Sequence, residues 1–188
     1  MTDSNKQTAV VIGKLVLISV LAALLLAITY IPTSAQLEEN MIAAQKEILG
    51  QLMPNAQNFE PVEGAENAEG EREILYYRAV DDSGNIIGYA FFREQGGAQG
   101  PIVVAGAVDS SFSNVLGMDV LSHEETPGLG SKITNTEFRS QFEDIPVSQL
   151  ALSSSGGSID SITGATISSQ AVVDAMDAKI EEIEEAEA

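Results

Sequence analysis

From Leu15 to Ile31 the chain reads LVLISVLAALLLAITYI, without a single charge. In a lipid core every backbone polar group must be satisfied within the segment, so a lone run of this kind can only be a helix. With the apolar residues Ala9 to Gly13, and Lys14 snorkelling to the interface, the run reaches the about 20 residues that cross a bilayer. Lys6 and Lys14 precede it, whereas Glu38 and Glu39 follow and no basic residue occurs before Lys46. This asymmetry predicts a cytoplasmic N-terminus and places everything after Pro32 outside, with Tyr30 at the outer edge. A cleaved signal peptide is the alternative, with Thr33-Ser34-Ala35 as its small-residue site. The run exceeds the roughly 7–15 residues of a signal-peptide core, which favours a retained anchor. Either way the remainder is extracytoplasmic.

The expected organisation is a short cytoplasmic N-terminus (1–14), a transmembrane helix (15–31), a stalk helix with an acidic linker (32–70) and one globular domain (71–188). A length of 188 residues suits about one domain. Nine basic residues against 28 acidic ones give a net charge of −19. That field repels phosphate backbones and excludes nucleic acid as a partner; it suits cationic partners, a salt-rich setting or simple solubility. There is no cysteine, and His123 is the only histidine. Disulfides, cysteine-ligated iron–sulfur clusters, c-type haem attachment and multi-histidine zinc sites are therefore excluded. A redox role for this chain would need an organic cofactor.

Leu37, Met41, Ala44, Ile48 and Leu52 recur at helical spacing and predict the stalk helix, stopped by Pro54. Asn55 to Gly70, with Pro61, Gly64 and several glutamates, reads as a solvated loop. Ile74–Val80 and Ile86–Arg93 flank Asp81-Asp82-Ser83-Gly84-Asn85 as a hairpin. After the break at Gly96-Gly97-Ala98-Gln99-Gly100, strands follow at Ile102–Val108 and Val115–Leu121. A final helix is expected from about Ser169 to Glu185, with Ala171, Val172, Ala175, Met176, Ile180 and Ile183 on one face. Antiparallel strands with flanking helices make the fold class α+β.

Two stretches carry chemistry. In SHEETPGLGSK, Ser122 to Lys132, the order Pro127-Gly128 followed by Gly130 demands a tight loop with exposed backbone. It is an ordinary turn or a loop that lets backbone approach a flat ligand, with Lys132 as the nearby cation. It is no P-loop, since the Gly-Lys-Ser/Thr order is missing, and no zincin, since no second histidine follows Glu125. His123 reads as structural. In IDSITGATISSQ, Thr163-Gly164-Ala165-Thr166 ends where the last helix begins. Free N–H groups and the positive end of the helix dipole suit a phosphate there, and the Thr166 hydroxyl is able to form a phosphoester. The plainer reading is that Thr166 or Ser168 caps the helix.

As a pair, HEETPGLG and DSITGATIS resemble the FMN-binding domain family, and most closely the family of G subunits of Rnf electron-transport complexes. The C subunit of the sodium-translocating NADH:quinone reductase is a near relative, generally with longer chains. The resemblance extends over the N-terminal segment and nearly all of the globular part. It implies that a flavin transferase joins FMN, through its phosphate, to the last threonine of the Thr-Gly-Ala-Thr motif, which is Thr166. Asp160, Ser161 and Ser168 match the recognition pattern around it, and Thr163, Gly164 and Ala165 complete the motif. The loop Glu125-Thr126-Pro127-Gly128-Leu129-Gly130 matches the segment against the isoalloxazine ring, with Thr126 and Leu129 as implied ring contacts and Gly128 between them. Lys132 is expected as a countercharge for the flavin or its phosphate. Where relatives tend to carry an aromatic GYGG-like segment, Gly96 to Gly100 has no tyrosine.

The function so implied is a membrane-anchored protein that relays electrons between redox subunits of an ion-translocating complex, without a substrate of its own. Its partners would be the other subunits, the flavin transferase during maturation and, as a candidate, an extracytoplasmic cytochrome. The alternatives are the C subunit of the sodium pump and a non-redox anchored scaffold domain with an empty motif.

Overall fold

The computed structural model describes residues 2–66, 70 and 72–188; within the first helix, side chains are described for residues 7, 11–26, 36–37 and 39–52. The chain divides into two units, Met1–Ala44 and Gln45–Ala188. Helix α1 is assigned to Thr2–Leu52 and ends two residues before Pro54, as the backbone restriction ahead of a proline requires. In the first unit every residue from 11 to 26 is exposed, around the whole circumference. Among the described residues no helix is long and apolar enough to cross a membrane. Tyr30 and the other side chains of 27–31 in the expected span, with the alternative cleavage site at 33–35, lie outside those described.

The second unit is built on a six-stranded sheet in which every strand pairs antiparallel with its chain neighbour. The strands are β1 (Asn58–Glu66), β2 (Arg72–Val80), β3 (Ile86–Gly96), β4 (Pro101–Asp109), β5 (Asn114–His123) and β6 (Ile145–Pro146). The expected α+β class and the antiparallel strands are present, with one correction. Asn58–Glu66 is an edge strand, not part of an acidic loop, so the sheet begins before residue 71. Only Phe59, Val62 and Gly64 of β1 are partly buried, and its glutamates face water. An edge position also tolerates Pro61, which cannot donate to a ladder on both sides. The β2–β3 turn follows its sequence: the Asp81 carboxylate accepts the amides of Ser83 and Asn85, and Gly84 takes φ +79°.

One sheet face carries helix α3 (Thr166–Glu187). The predicted apolar stripe of α3 is buried throughout, against Phe91, Ile102, Val104 and Val108. Contact is closest at Gly106, where a Cβ would stand 2.4 Å from Met176 Sδ and 2.5 Å from Phe91 Cζ. At the far end of α3, Glu187 accepts hydrogen bonds from the Tyr76 hydroxyl at 2.5 Å and Arg78 Nε at 2.9 Å. Burial and the adjoining Glu187 push the Tyr76 phenol up to about 12. The opposite face presents the small residues Ala79, Ala90 and Ala107, on which Leu49 and Met53 at the end of α1 are buried. The helix segment read as a stalk thus ends as part of this domain's second core.

Gly106→Ala is expected to destabilise the protein by about 1–3 kcal/mol, since the fully buried Met176 and Phe91 must shift to admit the methyl group. Thermal unfolding in detergent checks this; a fall of about 2–4 °C accompanies each kcal/mol, and a wild-type midpoint would contradict the packing.

Candidate functional site

The two sequence motifs form matching turns. In the first, the Leu129 amide donates to the Thr126 carbonyl at 3.2 Å, with Pro127 second and Gly128 third at φ +75°. In the other, the Ala165 amide donates to the Ile162 carbonyl at 2.9 Å, with Gly164 third at φ +81°. A positive φ at the third position is what a glycine supplies without strain. The turns lie side by side: a Cβ on Gly164 would come within 3.1 Å of Leu129 Cδ1. Ser131 Oγ accepts the Gly128 amide at 2.8 Å.

Helix α3 begins at Thr166, three residues earlier than the periodicity suggested, because nothing of the expected cap is present. The N-cap position is Ala165, and no side chain there bonds the helix start. This corrects the reading of Thr166 or Ser168 as a cap. Thr166 is the first helical residue and is exposed. Ser168 turns inward, and Ser169 Oγ accepts the Ile162 amide and donates to the Ala165 carbonyl. The uncapped first turn keeps N–H groups free for an anion.

Behind both turns lies Glu125, only 5% exposed. Its Oε1 accepts the amides of Ala98 (2.7 Å) and Gln99 (3.1 Å), and its Oε2 accepts the Ser168 hydroxyl (2.7 Å). One carboxylate thereby joins the β3–β4 turn, the Pro-Gly loop and the start of α3. Burial alone would raise its pKa, but the bonds from Ser168, Gln99 and Ala98, helped by His123, outweigh that and hold it below the ordinary carboxylate value. His123 Nδ1 accepts the Glu125 amide at 3.2 Å, consistent with its structural reading. Gly97 and Gly130 are required by close approach, since a Cβ on either would sit 2.2 Å from a Glu125 oxygen.

The site residues expected from sequence fall into three groups. Thr163, Gly164, Ala165, Thr166 and Leu129 are brought together. Thr126 and Gly128 share the adjoining turn; the Thr126 side chain is exposed and its carbonyl closes the loop. Lys132 is exposed and lines a cavity of about 260 Å³ with Thr163, Ser161 and Asp160. Thr166 lines a separate one of about 340 Å³ with Gly96, Ile167, Gln170 and Asp174. A further cavity of about 670 Å³ lies against Met53, Leu116 and Asp144 and contains no motif residue. Sequence reasoning missed Glu125 as the organiser and Ile167 as an exposed apolar neighbour; the first carries no signal in so acidic a chain.

These residues fit a flat ligand ending in a phosphate. Leu129 and Ile167 expose apolar side chains (42% and 65%). Beside them are a helix start without a cap, the positive-φ Gly164 close against Leu129, and Thr166.

The depressed pKa of Glu125 sets the pH dependence. A carboxyl with a lowered folded pKa contributes stability that is present above its unfolded value and lost as pH falls through the folded one. Unfolding monitored from about pH 6 to about pH 3 is expected to show falling stability, with a shallower acid-side loss in Glu125→Gln. Equal slopes in the two proteins would contradict it.

The FMN-binding domain family matches residues 97–181. The G subunit of the ion-translocating oxidoreductase complex of Methanosarcina acetivorans is 48% identical over 182 residues, 96% of each chain. The G subunit of the proton-translocating ferredoxin:NAD(+) oxidoreductase complex of Clostridium ljungdahlii is 27% identical, over 87% of this chain and 84% of that one. Among solved structures, the C subunit of the Na(+)-translocating NADH-quinone reductase from Parabacteroides distasonis aligns with a TM-score of 0.48 at 22% identity, over 66% of this chain and 74% of that one. By the near-full-length identity, the chain belongs to the family of G subunits of ion-translocating oxidoreductase complexes and carries an FMN-binding domain.

Proposed function

We propose that this chain is the flavin-bearing electron-transfer component of a membrane-bound, Rnf-type ion-translocating oxidoreductase complex, with FMN esterified through its phosphate to Thr166. The observation that carries the attachment is the exposed Thr166 hydroxyl on the first residue of an uncapped helix, beside Gly164 and Leu129. When bound, FMN supplies reversible electron uptake that no side chain of this cysteine-free protein offers. Thr166 supplies the ester oxygen, and the free amides of the first α3 turn hold the phosphate. Leu129 and Ile167 give the ring apolar surface and limit water at its faces. Thr126 and Gly128 shape the loop edge. Lys132, beside Thr163 rather than Thr166, acts at longer range as a countercharge.

The exposed apolar surface around residues 11–26 supports reading 15–31 as a single membrane span, since a helix apolar all round needs a protein or lipid environment. In this reading residues 1–14 stay cytoplasmic and the domain stands outside. The neighbouring subunits donate and accept the electrons. A flavin transferase loads Thr166 during maturation, and an extracytoplasmic cytochrome is a candidate exchange partner for so acidic a surface.

Intact mass spectrometry of the chain coexpressed with a flavin transferase is expected to show the mass of one FMN less one water. Peptide mapping should place it on Thr166, and Thr166→Ala should abolish both the added mass and the fluorescence of the denatured band. Retention of flavin by that variant refutes the assignment.

A further inference from the structure

Among the described residues Glu125 is the only buried carboxylate, and no lysine or arginine pairs with it. A neutral glutamine would accept the Ala98 and Gln99 amides as well and could still bond Ser168. Hydrogen bonding alone therefore does not account for a charge in so buried a place, where desolvating it is costly. The charge lies one residue before Thr126 and bonds the residue two after Thr166, directly behind the surface that takes the flavin. We propose that Glu125 is a positioning residue that clamps the three segments of the flavin site and whose negative charge, paired with no lysine or arginine, holds the flavin's reduction equilibrium towards the oxidised form. This rests on the reading of Thr166 as the attachment residue. The physical basis is that an electron added near a buried anion meets unscreened repulsion, which solvent exposure would otherwise remove. The one titratable group in contact with Glu125 among the described residues is His123, whose ring accepts its amide; Glu124 packs against Gly100, and Lys132 lines the cavity beside Thr163. The β3–β4 turn and the first turn of α3 bring no titratable side chain to it.

The test is an equilibrium redox titration of the full chain in detergent, loaded by a coexpressed flavin transferase. Dithionite, oxidised to sulfite, supplies two electrons, and solvent supplies the proton. Glu125→Gln, with its flavin mass intact, is expected to raise the equilibrium constant for reduction about tenfold, about 30 mV for a two-electron couple. Glu125→Asp keeps the charge and is expected to stay near the wild-type potential even if its unfolding midpoint falls. A loaded Glu125→Gln protein with the wild-type potential overturns the inference and leaves Glu125 a structural clamp. If that variant does not load, Glu125→Asp and the loaded wild type decide. Their potentials against pH should each rise on the acid side as the carboxylate is protonated, with the inflection at a different pH in the two proteins; profiles that coincide throughout overturn the inference, as does a Glu125→Asp protein that does not load. A wild-type chain without the flavin mass overturns the reading of Thr166 itself, an outcome that the mass spectrum separates from the others.

Discussion

The bond between the Glu125 carboxylate and the Ser168 hydroxyl ties residues 43 positions apart, and the geometry of the motif surface depends on it. Each of the three segments meeting there closes its own turn by local hydrogen bonds, but none of those bonds reaches the other two. The β3–β4 turn has glycines at Gly97 and Gly100, the Pro-Gly loop leaves the sheet at His123, and α3 starts without a cap. A single buried acid, carried by the loop, supplies acceptors to the other two. The glycines opposite it follow from this, because the carboxylate occupies the space where their side chains would be.

The sheet explains why those segments converge. With every strand beside its chain neighbour, the β3–β4 turn and the exit of β5 lie at the same end, since β4 runs antiparallel to both. Helix α3 then crosses β3 and β4 with Met176 seated on Gly106, which brings its N-terminal turn to that end and its last turn to Tyr76 and Arg78. The helix is therefore fastened at both extremities by carboxylates, one belonging to the loop and one to itself. A rigid strut of this kind gives the Thr166 hydroxyl a defined position without capping it.

Much of this was legible in the residues, where local chemistry and tertiary structure agree. The Asp81 turn, the apolar stripe of α3 and the positive-φ glycines of both motifs declare themselves through spacing and residue type. Strand β1 did not, because an edge strand with one poorly covered face resembles a charged linker: only Phe59, Val62 and Gly64 are partly buried along its length. The start of α3 was displaced because capping residues mark helix ends, and this end has none. Glu125 was hidden in a motif of two adjacent acids, where nothing local distinguishes the exposed Glu124 from its buried neighbour; only the distant Ser168 does. The same non-locality left the place of Lys132 open, since position along a loop does not fix which cavity a side chain lines; it lines one with Thr163, and Thr166 lines another.

The sequential order of the sheet bears on how the molecule is completed. Each strand can pair as soon as the next one is available, so the sheet is able to assemble in the order in which the chain is delivered, with little loop-closure entropy at each step. Helix α3 is the exception: its contacts reach back to β3 and β4, and Ser168 reaches back to Glu125. The threonine at its head is therefore presented in its final geometry only after the sheet behind it exists. An incomplete domain therefore does not present the Thr166 hydroxyl in its finished geometry.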